Sequence, residues 1–185
     1  MHRAALLKKI KYYRDQAQSE HERICANQFE EFVRMHPNCF ERSLSVGHIT
    51  ASAWLLDPCG ERALLTHHKK LGKWLQLGGH ADGDVDTLRV AQRELYEESG
   101  IQEVKPVFEE IFDLDIHSIP SRVDRATGLT EPEHLHYDVR FLFQSKDDHF
   151  VKNEESNALA WYGLNELTAM GNALDPSVQR LSLIH

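Results

Sequence analysis

Residues Gly78–Ile101 read GGHADGDVDTLRVAQRELYEESGI, and this stretch decides how the rest of the chain is understood. A pair of glycines and a short acidic turn lead into a helical run over residues 86–99. Gly100 stands where a helix C-terminus favours glycine. At about 100° per residue, Glu97 and Glu98 lie roughly −60° and +40° from Glu94, so the carboxylates share one face of the helix. Leu88, Ala91 and Leu95 fall on another arc, the one expected to face a core. Like charges so spaced destabilise an isolated helix by a few tenths of a kcal/mol per pair, roughly, and nothing in helix formation calls for them. A hard divalent cation does call for them, because magnesium is held by a few carboxylates together with water and substrate phosphate. Arg93 precedes Glu97 by one turn and is placed to pair with it and fix its rotamer. Spacing alone leaves a second reading open, a solvated acidic face.

Working outward, Ile49–Leu56 and Ala63–Thr66 read as β-type runs joined by the turn Asp57-Pro58-Cys59-Gly60, which predicts a hairpin. Val104–Ile119 contains strand-like stretches, and residues 120–132 read as a charged, turn-rich loop. His136–Phe143 and Ala158–Tyr162 read as strands, and Leu164–Met170 and Pro176–Leu183 as short helices. Interleaved strands and helices without repeats predict an α/β (α+β) layered domain. Residues 1–36 have a different character. Leu6, Ile10, Tyr13 and Ala17, then Cys25, Phe29 and Phe32 or Val33, recur at helical spacing. Ser19 and Glu22 form a capping-box pattern that predicts two helices, the second ended by Pro37. Their apolar stripe must be covered by the main domain or by a second copy of the chain, and a homodimer is one expectation.

The 185 residues fit one domain with a short appendage, and 41% hydrophobic residues suffice for a packed core. The net charge of −8 argues against a long nucleic acid as partner. It leaves room for a small phosphorylated ligand received through a cation. No stretch approaches the roughly 18 apolar residues of a membrane span, and Met1–Ile10 lacks the pattern of a secretory signal. Cys25, Cys39 and Cys59 are odd in number and lack CxxC spacing, which predicts reduced thiols and a cytoplasmic location.

The segment Gly79–Ile101 resembles the signature of the Nudix hydrolases: Gly, five residues, Glu, seven residues, Arg-Glu, an apolar residue, any residue, Glu-Glu, any residue, Gly, and an apolar residue. Gly79 fits the first position, and Arg93-Glu94-Leu95-Tyr96-Glu97-Glu98-Ser99-Gly100-Ile101 matches the entire second half. The first signature Glu falls on Val85, flanked by Asp84 and Asp86, and GGHADGD is similar to a bacterial subgroup that also lacks it. Residues 48–54 and 64–68 look like the family's first core strands, and 73–79 like its lead-in, with Leu77 where proline is usual. Residues 161–167 resemble its closing strand and helix. The resemblance implies an α/β/α sandwich around a mixed sheet over 45–185, with the box at 79–101 and residues 1–44 as a helical extension. It implies a Mg²⁺- or Mn²⁺-dependent hydrolase that cuts the diphosphate of a nucleoside diphosphate linked to another moiety. On that basis Glu94, Glu97 and Glu98 carry metal, the Gly79 carbonyl adds a ligand, and Arg93 orients the glutamates. Glu94 or Glu98 within the box, or Glu155 beside Glu154 before the closing strand, would serve as general base. The competing class is a Nudix-fold nucleotide-binding or regulatory module without turnover. Isoprenoid diphosphate isomerase chemistry, known among relatives, would need a positioned cysteine, and the cysteines here lie outside the motif.

Further candidates come from residue type and place. His80 follows Gly79 and is placed to approach phosphate. Arg122 and Arg125 sit in the turn-rich stretch, where two guanidiniums can clamp a diphosphate. Trp74 and Tyr137 are candidate stacking partners for a base, or plain core. His134 and His136 would share a strand face, compatible with zinc together with Asp138, but no third ligand follows at recognisable spacing.

Overall fold

The computed structural model describes residues 2–69, 71–123, 130–151 and 156–181. In chain order the elements are α1 (Ala4–Gln16), α2 (Glu20–Met35), β1 (Gly47–Leu56), β2 (Arg62–His68), β3 (Lys73–Leu75), β4 (Leu77–His80) and α3 (Thr87–Ser99). Then follow β5 (Val104–Pro106), β6 (Asp113–Ile119), β7 (Arg122–Val123), β8 (Thr130–Glu131), β9 (His134–Ser145), β10 (Ser156–Gly163), α4 (Leu164–Leu167), a 3-10 segment (Thr168–Ala173) and α5 (Pro176–Leu181). Hydrogen bonding orders the main strands β10-β2-β1-β9-β5, with β3 on β2, β4 on β1 and β6 on β9. The result is the expected mixed α/β fold. The chain packs as two compact units, one made of Met1–Ala51, His80–Thr87 and Glu110–Val139, the other of Ser52–Gly79, Leu88–Glu109 and Arg140–His185.

In the first unit the capping box predicted at the start of α2 is formed. The Ser19 hydroxyl accepts from the Glu22 amide at 3.2 Å, and the Glu22 carboxylate accepts from the Ser19 amide. His36, ahead of Pro37, is extended and ends the helix. Leu6 and Ile10 of α1 and Cys25, Ala26, Phe29, Phe32 and Val33 of α2 are buried. Arg3 donates to the Val33 and Arg34 carbonyls at 2.6 and 2.9 Å, and Arg14 pairs with Glu30. Phe32 lies flat on Tyr137 of β9, ring centres 3.7 Å apart, with Phe29 edge-on to the same ring at 5.2 Å. The apolar stripe is therefore covered within one chain, which removes the sequence argument for a homodimer. It also makes Tyr137 a packing residue whose face is taken.

In the second unit β2 forms the expected hairpin with β1, Leu56 opposite Ala63, and β10 lies antiparallel on its other edge from Ser156↔His68 to Gly163↔Arg62. The hairpin turn is held by Asp57, whose carboxylate accepts from the Glu61 and Arg62 amides at 2.8 and 3.2 Å and from the Arg62 guanidinium at 2.8 Å. Burial raises the Asp57 pKa, but these hydrogen bonds outweigh it and hold the carboxyl below its usual value. Helix α3 buries Val90, Ala91 and Leu95, while Leu88 is half-buried. Gly100 takes φ +69° and its amide donates to the Tyr96 carbonyl at 2.8 Å, the helix ending expected of it.

Some of the structure departs from the reading by pattern. β3 and β4 are strands of three and four residues, too short for a periodic signal. The 120–132 stretch is not all loop, because Arg122 and Val123 pair with Glu131 and Thr130 as a two-stranded ribbon. The segment from Leu164 turns from α-helix to 3-10 after Leu167.

Candidate active site

The second unit brings the α3 carboxylates against the strand that precedes the helix. β4 delivers Gly78 and Gly79 to the side of α3, and Glu98 reaches back so that its Oε2 accepts from the Gly78 amide at 3.0 Å. Glu94 lies over Gly79. A Cβ at that position would sit 2.4 Å from Glu94 Oε2 and 2.6 Å from its Cδ, so only glycine leaves the carboxylate where it is. Arg93 Nη2 donates to Glu94 Oε1 at 2.7 Å, and Arg93 Nε stands 3.8 Å from Glu97 Oε1. The guanidinium therefore makes the ion pair with Glu97 one turn on that helical spacing suggests, and in addition hydrogen-bonds its neighbour Glu94. Exposure grades the carboxylates: Glu94 is 16% exposed and Glu97 56%. Two are fastened to the protein, and one points toward water. A groove of about 330 Å³ runs along the flank of α3 beside Arg89, Gln92, Arg93, Tyr96 and Gln102.

This arrangement has hard oxygen donors only, partly neutralised by one arginine and closed against a glycine backbone. It is the donor set that suits magnesium or manganese rather than a soft metal.

With that geometry in view, the comparisons with known proteins are specific. The NUDIX domain family model matches residues 47–181. This chain belongs to the Nudix hydrolase family. A search of curated proteins gives no significant match. Among solved structures, a NUDIX-family hydrolase from Clostridium perfringens is 23% identical, with 73% of this chain and 93% of that one covered at a TM-score of 0.54. The Escherichia coli dihydroneopterin triphosphate pyrophosphohydrolase is 15% identical over 73% and 91% of the two chains, TM-score 0.53. A Caenorhabditis elegans Ap4A hydrolase is 16% identical over 74% and 93%, TM-score 0.51. These likenesses establish the fold of this Nudix chain.

The Nudix turn before α3 differs from the signature at Val85, which is 36% exposed. Its acids have local partners within the first unit. Asp82, at φ +49°, is forked by the Arg42 guanidinium, and Asp84 Oδ1 accepts the Asp86 amide at 3.0 Å. Of the proposed substrate contacts, Trp74 is half-buried in the second unit, edge-on to His67 and Tyr162 at 5.1 and 4.9 Å. Arg122 and His80 belong to the first unit, where Arg122 pairs with Glu131 across the β7–β8 ribbon. Arg125, Glu154 and Glu155 lie outside the described residues.

One cluster was missed by spacing. His134 and His136 do share a face of β9, and a third imidazole joins them, supplied by His48 at the start of β1. Ligand atoms of His48, His134 and His136 all lie within 4.8 Å of one another. His80 stacks near His48 and His136, ring centres 5.0 and 5.1 Å away, and His117 is 5.4 Å from His136. Burial, then the neighbouring imidazoles, pushes His48 down to about 4 and His136 down to about 2, and His80 is lowered chiefly by burial. Asp138, once a candidate partner, instead accepts from the Thr50 hydroxyl at 3.0 Å. Nothing in the linear spacing marks His48, which is 86 residues from His134.

Proposed function

We propose that this Nudix protein hydrolyses the diphosphate of a nucleoside diphosphate derivative, with Mg²⁺ or Mn²⁺ held by the α3 carboxylates. The observation that carries the reading is the fastening of Glu94 and Glu98 against Gly78-Gly79 beside Arg93. The residues fit a hard divalent ion: the donors are all oxygen, and a side chain at position 79 would overlap one of them. Glu94, Glu97, Glu98 and the Gly79 carbonyl would hold it. When bound, such an ion neutralises charge developing on phosphoryl oxygens and lowers the pKa of water.

The chain's own groups do the rest. Arg93 keeps the Glu94 carboxylate in one orientation, so no rotamer search is needed when ligand arrives. Glu98, accepting the Gly78 amide, ties the helix to the lead-in strand. In the reaction the water oxygen bonds to one phosphorus and the bridging P–O bond breaks. The departing phosphate takes that electron pair, and the water's proton passes to a carboxylate drawn from Glu94, Glu98 and Glu155. Arg93, bonded to Glu94, supplies positive charge beside the carboxylates for an anionic ligand. His80, Arg122 and Arg125 are the proposed contacts to the phosphates, and Trp74 the proposed stacking partner for the base. The named Ap4A hydrolase and pyrophosphohydrolase among the solved relatives support a phosphoanhydride as the bond cut. Residues 1–44 as an extension to a 45–185 hydrolase domain, and a cytoplasmic location, belong to the same reading. No helix among the described residues is long and apolar enough to cross a membrane.

A panel of nucleoside triphosphates, nucleotide sugars, dinucleotide cofactors and coenzyme A derivatives, run with Mg²⁺ and with Mn²⁺, tests this reading, with Glu98→Gln as blank. Metal-dependent turnover that vanishes in the variant supports it. Tight nucleotide binding without turnover on any member would favour the non-catalytic module instead.

A further inference from the structure

We propose that His48, His134 and His136 form a binding site for a divalent transition metal, with Zn²⁺ the ion that fits best. Three observations carry it. The ligand atoms already stand within 4.8 Å of one another, on the adjacent strands β1 and β9. Tetrahedral zinc with Zn–N of about 2.0–2.1 Å sets ligand nitrogens roughly 3.3 Å apart, so side-chain rotation of about an ångström closes the site.

The second observation is that four of the ring nitrogens are buried without a hydrogen bond among the described residues. His48 is 2% exposed and His134 5%, and both His48 ring nitrogens, His134 Nε2 and His136 Nε2 make no hydrogen bond. The Leu44 carbonyl acts electrostatically on His48, but no bond of normal geometry joins them. Buried polar groups are almost always satisfied, so such a set needs an occupant.

The third is the tautomer. His134 Nδ1 is 2.9 Å from the Pro132 carbonyl, which can only accept, so Nδ1 carries the hydrogen and Nε2 presents its lone pair to the cluster. A metal-bound imidazole is oriented in this way, its second nitrogen donating to a carbonyl or carboxylate. His117 Nδ1 faces Asp115 Oδ2 at 2.9 Å in the same manner, one ring further out. Glu131 Oε1 lies 3.8 Å from His134 Nε2, a carboxylate within reach of the cluster as a further donor.

Imidazole donors select zinc-like ions, whereas magnesium prefers the oxygen set of α3. The bound ion would brace the starts of β1 and β9 against each other within the first unit.

The test is Zn²⁺ titration of the chelator-stripped full chain in excess Mg²⁺, competed against a chromophoric chelator. We expect one tight Zn²⁺ per chain. His48→Gln and His134→Gln each should weaken it by at least on the order of 100-fold, the upper value for loss of an outer-shell partner alone. The exposed His149→Gln, and Glu98→Gln, should leave zinc affinity unchanged. Zinc that fails to bind, or binds both histidine variants as tightly as the parent, overturns the site, and ordered water then satisfies the nitrogens. Should the variants not fold, Co²⁺ added to the parent in excess Mg²⁺ decides: intense tetrahedral absorption supports the site, and a weak octahedral spectrum overturns it.

Discussion

The acidic face of α3 and the histidine cluster of β1 and β9 hold electron-pair donors by opposite means. The carboxylates are partly exposed, and Arg93 bonds Glu94 at 2.7 Å. The histidine donors are largely buried, and His48 and His136 are pushed far below the ordinary imidazole value. The first arrangement tolerates water and suits a hard ion shared with phosphate. The second is more buried and suits a borderline-soft ion. The two proposed sites thus differ in exposure as much as in residue type.

The contrast breaks most severely at Glu98. Glu98→Gln keeps an acceptor for the Gly78 amide but removes charge, so turnover should fall by at least about 10²–10³-fold, as for loss of one electrostatic stabiliser. The melting temperature should hold or rise as like-charge repulsion eases. Steady-state kinetics alongside a thermal melt read both. Gly79→Ala attacks the same site by volume alone. Its Cβ overlaps Glu94 Oε2, and displacing that carboxylate by about 1 Å should lower kcat on the order of 100-fold. Unchanged kcat in that variant would mean that the position of Glu94 is not critical.

The two sites were unequally legible. The carboxylates come from a five-residue span of one helix, and helical geometry alone puts them on one face. Gly79 in the preceding strand and Gly100 at the helix end each have a reason now visible, a carboxylate over the first and a left-handed turn at the second. The capping box at Ser19 and the β1–β2 hairpin are likewise local, and both are present as read. The histidine cluster is not local. Its third member is brought in by strand pairing across 86 residues of sequence, which no spacing rule carries. Arg93 shows a finer limit: periodicity points to the Glu97 ion pair, which is present, but not to the shorter hydrogen bond with Glu94. β3 and β4 were lost to their brevity.

Smaller effects sharpen the comparison by probing each unit's packing away from its donors. Phe32→Ala removes the ring stacked on Tyr137 and should cost about 3 kcal/mol in urea unfolding, in the range for buried aromatics. Zinc binding should survive if the variant folds. Asp57→Asn in the second unit should cost about 1–2 kcal/mol at neutral pH, with the half-exposed Arg62 partner counted at a discount. The Asp57 pKa is lowered in the fold, so its contribution is present above the unfolded carboxyl value and lost as pH falls through the folded one. Parent and variant should therefore converge in stability at the acid end of a pH series. A gap that persists there would point to lost packing rather than lost charge.

The central claim is that the α3 glutamates drive a metal-dependent hydrolysis. It is tested most directly by the initial rate against Mg²⁺ concentration for the parent and Glu98→Gln, on the member of the nucleotide panel that the parent cleaves fastest. The expected result is a saturable Mg²⁺ dependence in the parent and a rate lower by at least about 10² in the variant, at an unchanged or raised melting temperature. A variant that cleaves at the parent's rate, or a parent rate indifferent to chelation, would contradict it.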